Sequence, residues 1–166
     1  MAKNQKKIKK LILKLILLVL IIIVLFYNPV SLRLMTLGIA IYYSLDPVKF
    51  YRLVGTESSF RSFAVSSKQA IGLGQVKEET AGYINTSHKK GLLFLPFYNL
   101  KISALYLKYL LGRYHDNWSL ALAAYNWGET KVDKRIKGKR ILPGENYVTL
   151  FDDIPETRKF ISKILK

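Results

Sequence analysis

The sequence predicts an all-α fold, one helical domain behind a single N-terminal membrane-spanning helix. Three observations carry this expectation. Residues 11–27, LILKLILLVLIIIVLFY, form an apolar run broken by one charge, Lys14. Farther along, apolar residues recur at spacings of three and four, as in Pro47, Phe50 and Val54 or Leu100, Ala104, Leu107 and Leu111, which is the period of one helix face. Strand-like alternation is scarce, and no internal repeat or low-complexity domain interrupts the chain.

The 166 residues, half of them hydrophobic, suffice for one core plus an accessory segment. Charge is unevenly placed. The net charge is +16, yet all 11 carboxylates lie at or after Asp46, where 20 basic residues leave a net of +9. Such a basic body implies an anionic partner, whether a cell-wall polymer, a membrane surface or nucleic acid. The absence of cysteine excludes disulfides and thiolate metal sites and says nothing of the redox compartment.

Residues 1–10 read as a basic cytoplasmic tail carrying Lys3, Lys6, Lys7, Lys9 and Lys10. Residues 11–27 read as the transmembrane anchor: seventeen helical residues reach roughly 25 Å, enough with their flanks for a hydrocarbon core of ~30 Å. The positive-inside rule places everything after Asn28 and Pro29 outside the cell membrane, in a single-pass topology. No small-residue cleavage site follows the run, so an uncleaved anchor is expected over a signal peptide. Residues 28–45 read as linker and first core helix. The apolar stretch 30–43, with Arg33 and Gly38, is too short to span comfortably; it belongs in the core, with the membrane surface as a further resting place.

Residues 46–166 form the expected globular domain. Asp46 can cap free N–H groups and Pro47 suits the first helical position, so a helix starts there and brings Glu57 onto the same face as Phe50 and Val54. A carboxyl among hydrocarbon resists ionisation, and its raised pKa suits a general acid near neutral pH. A serine-rich turn covers 58–67. Gly72 and Gly74 flank Leu73, where missing Cβ atoms permit close approach of a sugar or of backbone. Gln75 offers both a donor and an acceptor, matching the acetamido and hydroxyl groups of an amino sugar.

A helix is expected over 77–83 and a loop at 88–91. His88 and His115, the two histidines, share no metal-like spacing and read as solvated or structural. A core helix covers 96–112, its Tyr98, Tyr106 and Tyr109 packing groups. Asn117 caps a helix over 118–127 that Gly128 stops, with alanines at 121, 123 and 124 permitting close packing and Tyr125 and Asn126 at its end. Residues 131–140 hold six bases against Asp133 and read as a solvated face, with wall polymer or lipid headgroups as the other reading. Pro143 and Gly144 mark a loop. The last helix begins at Pro155, with Thr157, Phe160 and Ile164 on one face.

Taken together, these motifs resemble the lytic transglycosylase family of the lysozyme-like superfamily. Glu57, Ser58, Ser59 and Phe60 match its first element; Ser66, Ala70, Gly72, Leu73 and Gln75 its second; Ala124, Tyr125, Asn126 and Gly128 its third. Asn99, Tyr106 and Leu107 match its middle helix, and Ile154 to Arg158 its closing helix. Four residues depart from the pattern. Gln69 replaces a glycine, Gly74 a methionine, Glu78 a proline and Phe160 a tyrosine, the last leaving Tyr147 or Tyr125 as the candidate assisting hydroxyl.

The resemblance implies a lysozyme-like domain of six or seven helices and a membrane-anchored enzyme that cleaves the β-1,4 bond between N-acetylmuramic acid and N-acetylglucosamine. In that reading Glu57 alone is the acid and base, closing a 1,6-anhydro ring, while Ser58, Ser66, Gln75, Tyr125 and Asn126 orient the sugars. Peptidoglycan glycan strands are the implied partner, with no metal and no cofactor. Asp46 lies eleven residues earlier on the same helix, roughly 16 Å along its axis, too far for the paired carboxylates of conventional glycosidases. A lysozyme-type hydrolase of the same bond and a non-catalytic wall-binding domain are the alternatives. A nucleic-acid binder ranks below them, since no nucleic-acid motif is present.

Overall fold

The computed structural model describes residues 2–166, with side chains described from Asn4 onward. α1 (Ala2–Tyr27) is a single helix whose candidate membrane span, Asn4–Tyr27, reaches a mean hydropathy of 2.8 over an 18-residue window. By length and composition it is the one described helix able to cross a membrane, and its side chains from Ile8 to Phe26 are exposed.

One residue separates α1 from α2 (Pro29–Tyr42). Asn28 is extended, at φ −76° and ψ 155°, so the two helices cannot run on as one. Its side chain works in both directions: Oδ1 accepts from the N–H groups of Val30 and Ser31 at 3.0 Å, while Nδ2 donates to the carbonyls of Val24 (2.7 Å) and Leu25 (3.2 Å). One amide thus satisfies orphan groups at the end of one helix and the start of the next. The inner face of α2, with Leu32, Thr36, Ile39 and Ala40, is buried against α3 and α5.

α3 (Pro47–Ser58) starts as its sequence dictates, with Asp46 Oδ1 accepting from Val48 and Lys49 N–H at 3.0 Å. Phe50, Leu53 and Val54 are fully buried. α5 (Pro96–Arg113) and α6 (Trp118–Trp127) form the centre, and every side chain from Ser119 to Ala124 is buried because α5, α7 and α8 all pack around α6. The run of small residues makes that close packing possible. α8 (Pro155–Leu165) returns across α3 and α6, burying Thr157, Phe160, Ile161 and Ile164. Arg52 of α3 donates to the carbonyls of Ile164 and Lys166, tying the end of α8 to α3.

α4 (Glu78–Ile84) and the turn at Leu92–Phe94 lie over a smaller cluster of Val76, Ala81, Leu93 and Ile102. Behind α1, α2 to α8 make seven helices, and among the described residues extended pairing is limited to isolated bridges of Ile71 with Val65 and Val76. α7 (Glu129–Ile136) is a helix inside the basic run that the sequence reading left without structure. Its polar composition gives little period to detect. It is held from outside: Arg135 and Lys131 lie over the Trp127 ring at 5.0 and 5.4 Å, Arg135 pairs with Asp153, and Asp133 accepts from Arg113 Nη2 at 2.5 Å.

Candidate active site

Glu57 sits on the last turn of α3, half-buried, immediately before the buried Ser58. The chain then reverses through two left-handed residues, Ser59 (φ 53°) and Phe60 (φ 60°). Such conformations are strained for side chains with a Cβ and persist only where surroundings enforce them. Here Phe60 folds back over its own helix, 4.8 Å from the Tyr51 ring and 5.1 Å from the Arg33 guanidinium. Gly55 makes room for it, since a Cβ there would lie 3.2 Å from the Phe60 ring.

Burial pushes the Glu57 carboxyl up to about 8, with the nearby charge of Glu156 adding to the shift. The carboxyl is therefore largely protonated at neutral pH. Glu156 is itself exposed and 4.0 Å from Lys68 Nζ. Its place at the start of α8 is set by Thr157, whose hydroxyl donates to Asn126 Oδ1 at 2.8 Å. So Asn126 joins α6 to α8.

The loop from Ala64 to Val76 forms the facing structure, and it is strapped down at both glycines. Asn99, fully buried in α5, accepts from Gly74 N–H at 2.8 Å and donates to the carbonyls of Ile71 (2.8 Å) and Leu93 (2.9 Å). Gly72 is at φ +76°, and a Cβ there would lie 2.3 Å from Asn99 Nδ2; one at Gly74 would lie 2.0 Å from Ser103 Oγ. The close approach expected at these glycines is made by the protein's own α5. Tyr125 completes the strap by donating to the Gly74 carbonyl at 2.8 Å. Burial raises the Tyr125 phenol well above its ordinary value, and the charge of Glu57 adds to this, which brings the two groups into one electrostatic neighbourhood.

The remaining expected residues fall in different places. Ser66 Oγ accepts from Ala70 N–H at 3.0 Å, and Gln75 Nε2 donates to the carbonyls of Gly72 (2.9 Å) and Ala64 (3.3 Å), so both side chains shape the loop. Gln75 is left-handed, at φ 48°. Ser58 Oγ donates to Val54 O at 3.3 Å within α3. Tyr147 has its hydroxyl engaged by Glu145 Oε2 at 2.5 Å and by Leu142 N–H at 2.9 Å, inside the loop before α8. His88 is structural: its ring bridges Glu78 Oε2 (2.5 Å) and the Tyr98 hydroxyl (2.8 Å). Among the described residues, three surface depressions measure about 480, 440 and 260 Å³, and Glu57 lines none of these three. Lys68, the partner of Glu156, is on the wall of the second.

Asn99, Ser103 and Thr157 complete the arrangement. Asn99 is part of a sequence motif, yet nothing local reveals that its partners lie 6 to 28 residues away.

A family model for the "Transglycosylase SLT domain" matches residues 39–148, two thirds of the chain, and takes in α3, the strapped loop, α5 and α6. The chain belongs to this family. The chain is 31% identical over 147 residues to membrane-bound lytic murein transglycosylase C of Shigella sonnei, and 30% identical over 150 residues to the protein of the same name in Photorhabdus laumondii. The matches cover 74% and 75% of this chain but 41% and 42% of those relatives, so the chain spans about two fifths of their length.

Among solved structures, an inactive mutant of the lytic transglycosylase Slt from Pseudomonas aeruginosa superposes with a TM-score of 0.73 at 25% identity, over 86% of this chain and 24% of that one. A 70-kDa soluble lytic transglycosylase in complex with bulgecin A gives a TM-score of 0.70 at 22% identity, over 82% of this chain and 23% of that one. The latter likeness establishes the lysozyme-like fold of the SLT domain.

Proposed function

We propose that this chain is a membrane-anchored lytic transglycosylase that cleaves the β-1,4 bond between N-acetylmuramic acid and N-acetylglucosamine in peptidoglycan. The observation that carries the proposal is the half-buried Glu57, its carboxyl pushed up to about 8 by burial, on the last turn of α3 shortly before the family's strapped loop. Protonated Glu57 gives its proton to the glycosidic oxygen as the C–O bond breaks. The resulting carboxylate then removes the proton from the C6 hydroxyl of the muramic residue, whose oxygen closes on C1 to form the 1,6-anhydro ring. One group serves twice, and the proton count closes without water.

In this reading Tyr125 and Asn126 border the sugar site. Ser66 and Gln75 act through the loop they hold. The basic tail stays in the cytoplasm and the domain works outside it, as the charge distribution across α1 favours. The relatives' names, which describe membrane-bound murein transglycosylases, support the membrane attachment.

One observation favours a second reading. Glu156 is close enough for its charge to raise Glu57 further, and a second carboxylate is what a hydrolase uses to direct water. Product analysis separates the two. The full chain in detergent should release anhydro-ended fragments from purified wall, detected by mass spectrometry, and Glu57→Gln should abolish them. Ordinary reducing ends, lost on Glu156→Gln, would make the enzyme a hydrolase; binding with no cleavage would make the domain a wall-binding module.

A further inference from the structure

We propose that the outer face of α2, together with Phe63 of the loop after α3, lies in the headgroup and upper acyl region of the bilayer that α1 crosses, so that the domain rests on lipid. The evidence is a helix that is apolar on two sides. Its inner side, Leu32, Thr36, Ile39 and Ala40, is buried in the domain. Val30, Leu34, Leu37 and Ile41 follow one another at spacings of four, three and four, which puts them on a separate stripe. Along that stripe Val30, Leu34 and Ile41 are 64%, 63% and 67% exposed. A helix that is apolar nearly all round is unstable facing water and signals a second apolar environment.

The identity of that environment follows from continuity and charge. α2 begins one residue after α1, whose exposed surface is apolar from Leu11 to Phe26 apart from Lys14. The Tyr27 ring at the end of α1 stacks on Phe63 at 5.3 Å and an interplanar angle of 3°, and Phe63, itself 66% exposed, continues to Phe94 at 6.5 Å. Aromatic rings at the end of a spanning helix are the side chains that settle at the lipid–water boundary. Phe63 is thereby held at the depth where α1 leaves the bilayer. The charges nearby suit phosphate headgroups: Arg33 and Arg61 are exposed, and no acidic residue precedes Asp46. The double grip of Asn28 fixes α2 relative to α1, so the stripe cannot swing away from the lipid.

The chain has no cysteine, so a nitroxide can be placed at single positions in the full-length protein. We would label Leu18→Cys, Leu34→Cys, Ile41→Cys, Phe63→Cys and Leu142→Cys, reconstitute each into phosphatidylcholine–phosphatidylglycerol vesicles, and compare collisions with oxygen, which partitions into lipid, and with a water-soluble nickel chelate. Oxygen collisions should dominate at positions 34, 41 and 63 as they do at 18, while nickel dominates at 142. The inference rests on α1 crossing a bilayer, which position 18 tests by itself. An aqueous signal at 34, 41 or 63 with a lipid signal at 18 would overturn the inference and leave the anchor standing; an aqueous signal at 18 would overturn both. Shielding of 34 and 41 from both probes, with spin–spin broadening, would show a second copy on the stripe and also overturn it.

Discussion

At the scale of single residues, Glu57 sets the pH behaviour of the protein. Its carboxyl, ordinarily at 4.5, is pushed up to about 8 by burial and by Glu156. The proposed first step requires the acid form, so activity should fall as pH rises through about 8, read from initial rates of fragment release. Glu156→Gln removes the second contribution and should shift that limb to lower pH. Stability is linked to the same proton. The folded protein keeps it between pH 4.5 and about 8 while the unfolded chain gives it up, so stability should decline as pH rises through that window. Glu57→Gln should abolish this decline in thermal unfolding, while reducing cleavage by about 10²- to 10⁴-fold, the usual contribution of a general acid.

Asn99 and Gly72 belong to the same scale. Asn99→Ala strands one N–H and two carbonyls under the loop, and each unsatisfied buried group costs about 1–3 kcal/mol. Gly72→Ala meets a left-handed backbone, costing about 1–3 kcal/mol, and then collides with Asn99. Both variants should unfold at lower denaturant concentration and, on the proposed function, lose activity through the loop.

At the scale of elements, local chemistry and distant support separate what could be read from sequence. The start of α3 was legible because a cap and a proline act on their own neighbours, and Glu57 follows from that start by helical spacing. Likewise Asn117 caps α6 by accepting from Leu120 N–H at 3.2 Å, and Gly128 ends it at φ +101°. α7 was not legible, because its polar sequence gains its order from Trp127, Asp153 and Arg113, which lie on other elements. The roles of Ser66 and Gln75 were hidden for a related reason: their partners are backbone atoms whose positions depend on the folded loop. α7 should accordingly be sensitive to its supports, and Trp127→Ala should lower thermal stability by removing the ring under Lys131 and Arg135 as well as its contact with Phe151.

At the scale of the whole molecule, the order of the motifs along the chain revealed the lysozyme-like domain, whereas the relation of the domain to α1 needed coordinates. That relation depends on Asn28. Asn28→Ala removes a helix cap and two bonds to α1, costing about 0.5–2 kcal/mol for the cap alone. Spin labels on α1 and on the domain of this variant should show a broadened distance distribution relative to the parent chain.

A joint of one residue also governs geography. With no slack between post and blade, an inserted α1 would hold the proposed wall-cleaving domain at the lipid. On that proposal it would trim only what passes within its own breadth of the bilayer, travelling sideways as fast as its post drifts. Strands farther out would be spared until growth or turnover carried them inward.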